Sequence, residues 1–286
     1  MPLRRVSMKE IQLNCLNEFS PLQEVILCEP TFMKIQDVIN ETQRRYHKEN
    51  IDVEKAVLQH NKFLEVLGKN KIKTHLLSPK STFPEQVFTR DIGFTVGRTL
   101  FISDMKMPVR QGEEIELKNW LSARGMSYID LVEDETEGGD VLVHGNKVFI
   151  GLSDRTTPEA VERIQSSLPH CDVIPLPIHE DILHLDCIFN IVSDNEALIY
   201  REGLRKEDIT RLSSHFELID VSREEQFTMG VNVLSIGNKK VISLPINKGV
   251  NRKLRDRGFE VIEVDFDEII KSGGSFRCCT LPLLRG

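Results

Sequence analysis

Residues 137–156 read EGGDVLVHGNKVFIGLSDRT, and their pattern of apolar residues indicates a β-hairpin. Two apolar and β-branched runs, 141–143 and 147–151, flank the dipeptide Gly145-Asn146. Glycine and asparagine suit turn positions with φ above zero, so this dipeptide is a natural hairpin tip. The polar string EGGD stands directly before the first strand. We therefore predict a hairpin with a polar segment leading into it.

The same pattern recurs three more times along the chain, at a spacing of roughly 45 residues. The other hairpin tips are predicted at Gly97-Arg98, Asp194-Asn195 and Gly237-Asn238. A period of this length is typical of repeat architectures, in which each copy buries its apolar face against its neighbours. The strings TRD (89–91) and HLD (184–186) lead into two of these hairpins. The fourth hairpin has no such polar segment, so we predict a purely structural part for it.

Amphipathic helices are predicted between the hairpins, and each is followed by a short extended run. The helices are expected at 52–67, 113–124, 158–168 and 206–216, and the extended runs at 72–77, 127–132, 173–176, 217–221 and 260–264. Strands at 22–29 and about 279–284 would build a fifth unit from the two ends of the chain. No Pro-, Gly- or Ser-rich linker divides the sequence, which favours one α/β domain over residues 1–286.

Composition limits the classes of partner. The 286 residues carry a formal net charge of -7, whereas nucleic acids and membrane surfaces require a basic face. No apolar run of 18 residues exists, and the first 15 residues lack the apolar core of a signal peptide. The six cysteines show no CxxC spacing, which argues against a disulfide framework or a zinc module. We expect a cytoplasmic protein with free thiols.

The carboxyl-terminal string GGSFRCCTLPLLRG places two glycines shortly before a pair of cysteines, Cys278 and Cys279. A nucleophilic cysteine needs a base or a positive neighbour that lowers its pKa. Alternatively, both thiols are small buried apolar groups, as free cysteines often are. If the pair lies in a strand, its side chains point to opposite faces, and at most one enters a given pocket.

His184 and Asp186 would share one face of a strand, so an imidazole and a carboxylate could reach one cavity together. A lone histidine is more often structural, however. The nearby His179-Glu180 lacks the HExxH spacing of zinc proteases.

The other polar residues at the hairpin edges also have ordinary explanations. Asp91 and Asp140 could be turn acceptors, and Arg155 could form a surface ion pair. Gly138 and Gly139 could simply supply unusual φ angles to a tight turn. The recurrence of polar residues at equivalent hairpin edges is what favours a shared site.

Four strings resemble, in their order and spacing, the guanidino-group modifying superfamily of arginine deiminases, amidinotransferases and dimethylarginine dimethylaminohydrolases. They are TRDIGF (89–94), EGGDVLVHGNKVFIGLSDRT (137–156), HLDCIFN (184–190) and FRCCTLPL (276–283). Chain length and the Cys-Cys pair resemble the dimethylarginine dimethylaminohydrolases most. The resemblance covers roughly residues 20–286. It implies the pentein fold, a five-bladed α/β propeller of ββαβ repeats around a central pocket.

The resemblance also implies a catalytic set taken from three blades. Cys278 would be the nucleophile, His184 the general acid and base, and Glu137 the carboxylate that orients and charges the imidazole. The substrate-binding residues that the resemblance implies are Asp91 and Asp186 for the guanidinium, Arg155 and Arg110 for a carboxylate, Glu85 for an α-amino group and Asp140 as support. No metal or organic cofactor is expected.

Features of the sequence point to different guanidino substrates. The pair Arg90-Asp91 and the acid Asp186 resemble arginine deiminases, since dimethylarginine hydrolases usually have Glu-Asp at the first position and often lack the second acid. The implied reaction is hydrolysis at the guanidino carbon of arginine or an N-methylarginine. The products would be a ureido compound such as citrulline and ammonia or methylamine.

Other functions stay open at this point. An amidinotransferase would use the same covalent intermediate, and an arginine- or agmatine-type deiminase would differ only in its substrate. A non-enzymatic or metal-binding propeller would keep the fold without the thiol chemistry. The expected partner is a small guanidino molecule, with neither nucleic acid nor membrane, and a homodimer is left open. The stretch after Glu29-Pro30 is the candidate lid over the site, and its contacts would decide specificity.

Overall fold

In the computed structural model, which describes residues 11–286, the strands form five small mixed sheets. Each sheet contains an antiparallel pair of strands and a third strand that joins in parallel. A parallel neighbour requires a crossover connection, and a helix supplies it in every sheet. This fivefold ββαβ arrangement confirms the predicted α/β propeller.

The strands and helices follow the chain in this order. The strands are β1 (Leu22–Cys28), β2 (Lys73–Leu77), β3 (Gly93–Val96), β4 (Thr99–Ile102), β5 (Ile129–Asp130), β6 (Val141–His144), β7 (Lys147–Leu152), β8 (Asp172–Pro177), β9 (Phe189–Ile191), β10 (Glu196–Ile199), β11 (Glu217–Asp220), β12 (Leu234–Gly237), β13 (Lys240–Ser243), β14 (Glu260–Glu263) and β15 (Leu281–Arg285). The helices are α1 (Glu41–Tyr46), α2 (Val53–Lys69), α3 (Glu113–Ser122), α4 (Pro158–Ser167), α5 (Lys206–Ser213), α6 (Arg223–Phe227) and α7 (Lys248–Asp256).

The four predicted hairpins are present, and one turn is displaced. Gly97 and Gly145 sit at the tips with φ of 56° and 62°. In the fourth hairpin the turn residues are Asn238 and Lys239, with φ of 52° and 55°, while Gly237 still pairs with β13. The turn therefore lies one residue later than the sequence predicts, because the strand pairing is irregular there.

The four predicted helices form, and two of them begin at a side-chain cap. The Asp52 side chain accepts a hydrogen bond from the backbone N of Lys55 at the start of α2, and Thr157 does the same for Ala160 in α4. The short helices α1 and α6 and the strongly polar α7 were not predicted. All five expected extended runs appear, although β5 is reduced to two residues.

The fifth sheet joins the two ends of the chain, as expected. Strand β1 pairs antiparallel with β15, with Ile26 opposite Leu281, and parallel with β2. The prediction about an amino-terminal signal peptide falls mainly on residues 1–10, which lie outside the described residues. Across residues 11–286, none of the helices has the length and apolar character needed to span a membrane.

Candidate active site

The polar segments that lead into the hairpins contact one another around a narrow cavity of about 10 Å³. The backbone N of Gly138 donates to the carbonyl of Asp91, and that of Arg90 donates to the carbonyl of Cys278. The cavity is lined by Ile39, Asn40, Glu85, Phe88, Asp91, Arg110, Arg155, Leu183, His184, Ser272, Gly273, Gly274 and Cys278. Six of the nine predicted site residues are in this wall, and Glu137, Asp140 and Asp186 contact it from behind.

A buried ion pair joins Glu137 to His184. Nε2 of His184 lies 2.7 Å from Oε2 of Glu137 and donates to it when protonated. Burial lowers the pKa of His184, but Asp91 and the Glu137 hydrogen bond outweigh it and raise the pKa to about 10. Burial would raise the pKa of Glu137, yet the hydrogen bond and charge of His184 lower it to about 2. The imidazole is therefore a cation at neutral pH and can serve as an acid.

The second imidazole nitrogen faces Asp91. Nδ1 of His184 lies 3.8 Å from Oδ1 of Asp91, and neither atom has a hydrogen-bond partner among the described residues. Since buried polar atoms are nearly always paired, this gap marks a place for a polar group of a bound molecule or for water.

Two glycines allow this close packing. A Cβ on Gly139 would lie 2.6 Å from Nδ1 of His184, and a Cβ on Gly138 would overlap the carbonyl oxygen of Arg90. Neither glycine has a positive φ, so the expectation that they supply unusual φ angles is wrong. Both positions require glycine because neighbouring atoms already fill the space that a side chain would occupy.

Asp91 is held by Arg110. Nη1 of Arg110 donates to Oδ2 of Asp91 at 2.6 Å, and Nη2 donates to Glu113 at 2.8 Å. Two carboxylates thus already neutralise the Arg110 guanidinium. These contacts favour a role for Arg110 in orienting Asp91, and its assignment to a substrate carboxylate stays a prediction.

Cys278 lies in a helical turn and not in a strand. The backbone N of Cys279 donates to the carbonyl of Ser275, and β15 begins only at Leu281. The argument from strand alternation is therefore wrong in its premise. Both cysteines pack in one apolar cluster, and of the two Cys278 lines the cavity. Both thiols are buried.

The sulfur of Cys278 lies beside Asp186, at 3.9 Å from Oδ1 and 3.8 Å from Oδ2. Asp186 follows His184 in a 3-10 turn over Leu185–Cys187, so the predicted strand face is wrong here as well. Nε of Arg277 approaches Oδ2 of Asp186 at 3.3 Å. Burial raises the pKa of Asp186, and Arg277 opposes that shift.

Asp140 fixes the backbone next to the histidine. Its Oδ1 accepts from the backbone N of Leu185 at 2.9 Å, and its Oδ2 accepts from the hydroxyls of Ser153 and Thr156 at 2.6 and 2.7 Å. Burial raises the pKa of Asp140 to about 6, against the lowering influence of His184 and these donors. The geometry fits the supporting part that the sequence predicted.

Arg155 connects Glu137 to the segment after β1 that was predicted to form a lid. Its Nη1 lies 3.4 Å from Oε1 of Glu137, and its Nη2 donates to the carbonyl of Ile39 at 2.7 Å. Asn40, next in the chain, donates to the carbonyl of Ser272 at 3.0 Å. The predicted lid segment thus covers the cavity.

Glu85 lies in the wall below that segment. Its Oε1 accepts from Nε2 of Gln43 at 2.9 Å, and both of its oxygens lie 2.9 Å from the Ser272 hydroxyl. Burial raises the pKa of Glu85 to about 8, although Arg110 lowers it. Glu85 is therefore mainly neutral at pH 7.

Two site residues were missed by the sequence analysis. Glu113 completes the pairing of Arg110, and Asn232 contacts Cys278 from the segment leading into the fourth hairpin. The segment leading into the fourth hairpin therefore has a polar contact with the site that the sequence analysis did not predict. A neutral asparagine between valines gave no charge signal, and only its position before β12 could have indicated it.

Asp91, Glu137 and His184 form a cluster of possible metal ligands. One ligand atom from each lies within 4.8 Å of the others, which a metal ion could span. Glu137 already pairs with Nε2 of His184, and Oδ2 of Asp91 pairs with Arg110, whereas Nδ1 of His184 and Oδ1 of Asp91 have no partner among the described residues. The expectation of a metal-free site stays a prediction.

Comparison with known families places this geometry in context. The profile of the family described as N,N dimethylarginine dimethylhydrolase, eukaryotic, matches residues 29–285. The uncharacterized protein YkgA of Bacillus subtilis is 47% identical, and the alignment covers 95% of each chain. The N(G),N(G)-dimethylarginine dimethylaminohydrolase of Mycobacterium tuberculosis is 28% identical over 82% of this chain and 77% of the relative.

A solved structure shows the same fold. The amino-terminal domain of cyanobacterial ArgZ, an arginine dihydrolase crystallised with product, superimposes with a TM-score of 0.85 at 25% identity. The match covers 92% of this chain and 97% of that domain.

Proposed function

Because the chain belongs to the N,N dimethylarginine dimethylhydrolase family of guanidino-group-modifying enzymes, we propose that it is a cysteine-dependent hydrolase acting at the guanidino carbon of arginine or an N-methylarginine. The observation that carries this proposal is the shared cavity of Cys278, the His184–Glu137 ion pair and the unpartnered oxygen of Asp91. A thiol, a charged imidazole and a free carboxylate oxygen are the groups that such chemistry requires.

The substrate would bind through the attraction between its guanidinium cation and the carboxylates of the site. The guanidinium cation would bind Oδ1 of Asp91, which has no partner among the described residues, with Asp186 on the side of the sulfur. Planar guanidinium and carboxylate form short charge-assisted hydrogen bonds. The cation also offsets the negative charge of Asp186, and this makes a thiolate on Cys278 more favourable at the moment of binding.

In the first chemical step the Cys278 thiolate attacks the guanidino carbon and forms a tetrahedral adduct. The imidazolium of His184 gives its Nδ1 proton to the departing nitrogen, and the carbon–nitrogen bond breaks. The leaving group is ammonia from arginine, or an alkylamine from a methylarginine. A covalent thiouronium on Cys278 results, and Glu137 stabilises the imidazolium that donates.

Water completes the cycle. His184, now neutral, accepts a proton from a water molecule, whose oxygen attacks the thiouronium carbon. The second tetrahedral adduct collapses with cleavage of the carbon–sulfur bond, which releases a ureido product and restores the thiolate and the imidazolium. The remaining hydroxyl proton of the adduct leaves to solvent, where the released amine takes it up. One guanidinium and one water thus give one ureido product and one ammonium or alkylammonium ion.

The contacts around Asp91 favour a terminal nitrogen without methyl groups. Arg110 occupies Oδ2 of Asp91, and the ring of Phe88 lies in the same cavity wall. A methylated nitrogen presents fewer N–H groups and more volume to this narrow space. Among candidate substrates, we therefore place arginine ahead of dimethylarginine.

The test is a turnover screen of arginine, monomethylarginine, dimethylarginine, agmatine and short guanidino acids, with ureido product and released amine both measured. The proposal expects at least one compound to give equal amounts of both products, and Cys278→Ser to lose turnover by at least about 10³-fold. Failure of every compound, with no adduct on Cys278 after acid quench, rejects it.

An amidinotransferase is the second candidate, because the same thiouronium could pass to an amine in place of water. The same screen separates the two. A transferase gives no ureido product with single substrates and turns over only after a second amine is added.

A further inference from the structure

We propose that Asn232 is the positioning residue of the nucleophile: its side-chain amide fixes Cys278 and favours the thiolate form. This inference rests on the proposed role of Cys278. It gives the fourth hairpin a part in the reaction, through a residue that carries no charge.

The amide of Asn232 makes contacts on both of its polar ends. Its Oδ1 accepts from the backbone N of Cys278 at 3.2 Å. Its Nδ2 donates to the sulfur of Cys278 at 3.1 Å and to the carbonyl of Asp186 at 3.3 Å. A backbone N–H can only donate, so the amide oxygen must face it, and the NH₂ group must face the sulfur. The orientation of the amide is therefore fixed by its surroundings.

The segment that carries Asn232 is itself immobilised. Nδ2 of Asn190, in β9 of the neighbouring sheet, donates to the carbonyls of Val231 and Val233, each at 2.8 Å. Asn190 thus holds the backbone on both sides of Asn232. The turn before it includes Met229 at φ of 60°, a conformation that is rare for a residue other than glycine. Such local strain persists where the surrounding structure fixes the chain.

The hydrogen bond from Asn232 to the sulfur affects the charge state of Cys278. A thiolate is a stronger hydrogen-bond acceptor than a thiol, so a donor aimed at sulfur favours the charged form. Asp186 lies 3.8 Å from the sulfur, and its negative carboxylate disfavours a thiolate there. Other titratable groups also face the nucleophile. They come from its own segment, from neighbouring sheets and from the cavity wall, and they are Arg277, Cys187, His184, Asp91, Glu85, Arg110 and Arg155. Asn232 adds a hydrogen-bond donor that contacts the sulfur and is itself not titratable.

The test measures the reactivity of Cys278 and needs no substrate. The full chain is treated with iodoacetamide across a pH series, and alkylation of Cys278 is followed by peptide mass spectrometry. Asn232→Ala is expected to lower the rate at neutral pH by about tenfold and to move the pH profile about one unit upward. Asn232→Ser is measured in parallel and decides the result if the alanine variant does not fold.

The matched control is Asn251→Ala. Asn251 is also a fully buried asparagine with both amide ends engaged, since it accepts from Ser243 and donates to the carbonyl of Leu244. Its replacement should lower stability and leave the alkylation profile of Cys278 unchanged. A wild-type profile in the Asn232 variants overturns the proposal, as does an equal shift in Asn251→Ala.

These outcomes are separate from those of the proposed function. If the enzyme hydrolyses no guanidino compound and the Asn232 variants still shift the profile, the hydrolase proposal fails and the positioning role stands. If turnover is found and the profile does not move, the reverse holds.

Discussion

At the scale of single residues, Glu137 is one of the acids that, after Asp91, raise the pKa of His184. Replacing Glu137 by Gln removes the partner that helps to hold the pKa of His184 near 10, so this pKa should fall. A proton donor is active below its own pKa, and the alkaline limb of the kcat/KM profile should therefore move to lower pH. The measurement is an NMR titration of His184 beside the pH–rate profile. Glu135→Gln, two residues earlier and partly exposed, is the control, and an unchanged titration in Glu137→Gln contradicts this account.

Gly139 gives a second prediction at this scale. In Gly139→Ala the new Cβ would lie 2.6 Å from Nδ1 of His184 and 2.9 Å from Oδ1 of Asp91, so the imidazole must move. A displacement of about 1 Å can cost about 10²-fold in kcat, and we expect a loss of that size with the fold retained.

The control for Gly139→Ala is Gly68→Ala in α2, where a Cβ meets nothing within 4 Å. Alanine there should stabilise the helix by roughly 1 kcal/mol without a change in kcat. Full activity in Gly139→Ala would show that the imidazole position is not critical.

The residues that the sequence identified are those that carry charge or reactivity. Asp91, His184 and Cys278 were found because their motifs resemble a known family, and the structure brings them to one cavity. Asn232 and the true reason for Gly138 and Gly139 were not found, because a neutral hydrogen bond and a close approach depend on neighbours that are distant in sequence.

At the scale of elements, Glu85 links the lid helix α1 to the loop before Cys278, through Gln43 and Ser272. Its pKa is raised to about 8 in the folded chain, so it contributes stability below its unfolded pKa that is lost as pH rises through 8. Glu85→Gln should therefore gain stability over wild type as pH rises from 5 to 9. The gain should be on the order of a few kcal/mol.

Chemical denaturation at pH 5 and pH 9 measures this difference. The control is Glu41→Gln on the same helix, whose exposed side chain should give no pH-dependent difference. If the free energy of unfolding differs between Glu85→Gln and wild type by the same amount at both pH values, the carboxyl of Glu85 is not the buried, neutral group described here.

Element prediction worked where periodicity or turn chemistry was strong. Helices α2 and α4 have amphipathic faces and capping residues, and the tips at Gly97 and Gly145 carry the glycine that the turn needs. It failed for the 3-10 turn Leu185–Cys187, since a three-residue turn has no period to detect. It also missed α7, whose polar sequence leaves few apolar positions.

At the scale of the whole molecule, each of the five sheets contributes one part of the site. The segments leading into four hairpins provide Asp91, Glu137, His184 with Asp186, and Asn232, and the chain-closing turn before β15 provides Cys278. A repeat that closes on itself brings together residues nearly 200 positions apart. The period in the sequence predicts this closure, whereas the contacts across the axis follow only from the packed structure.

The most direct measurement of the central claim is acid-quench mass spectrometry of the wild-type chain mixed with arginine and with monomethylarginine. The account predicts an adduct on the peptide that contains Cys278, with the mass of the guanidino compound less the released amine, and no adduct in Cys278→Ser. Formation of ureido product without any adduct on Cys278, or an adduct on another cysteine that is required for turnover, would contradict it.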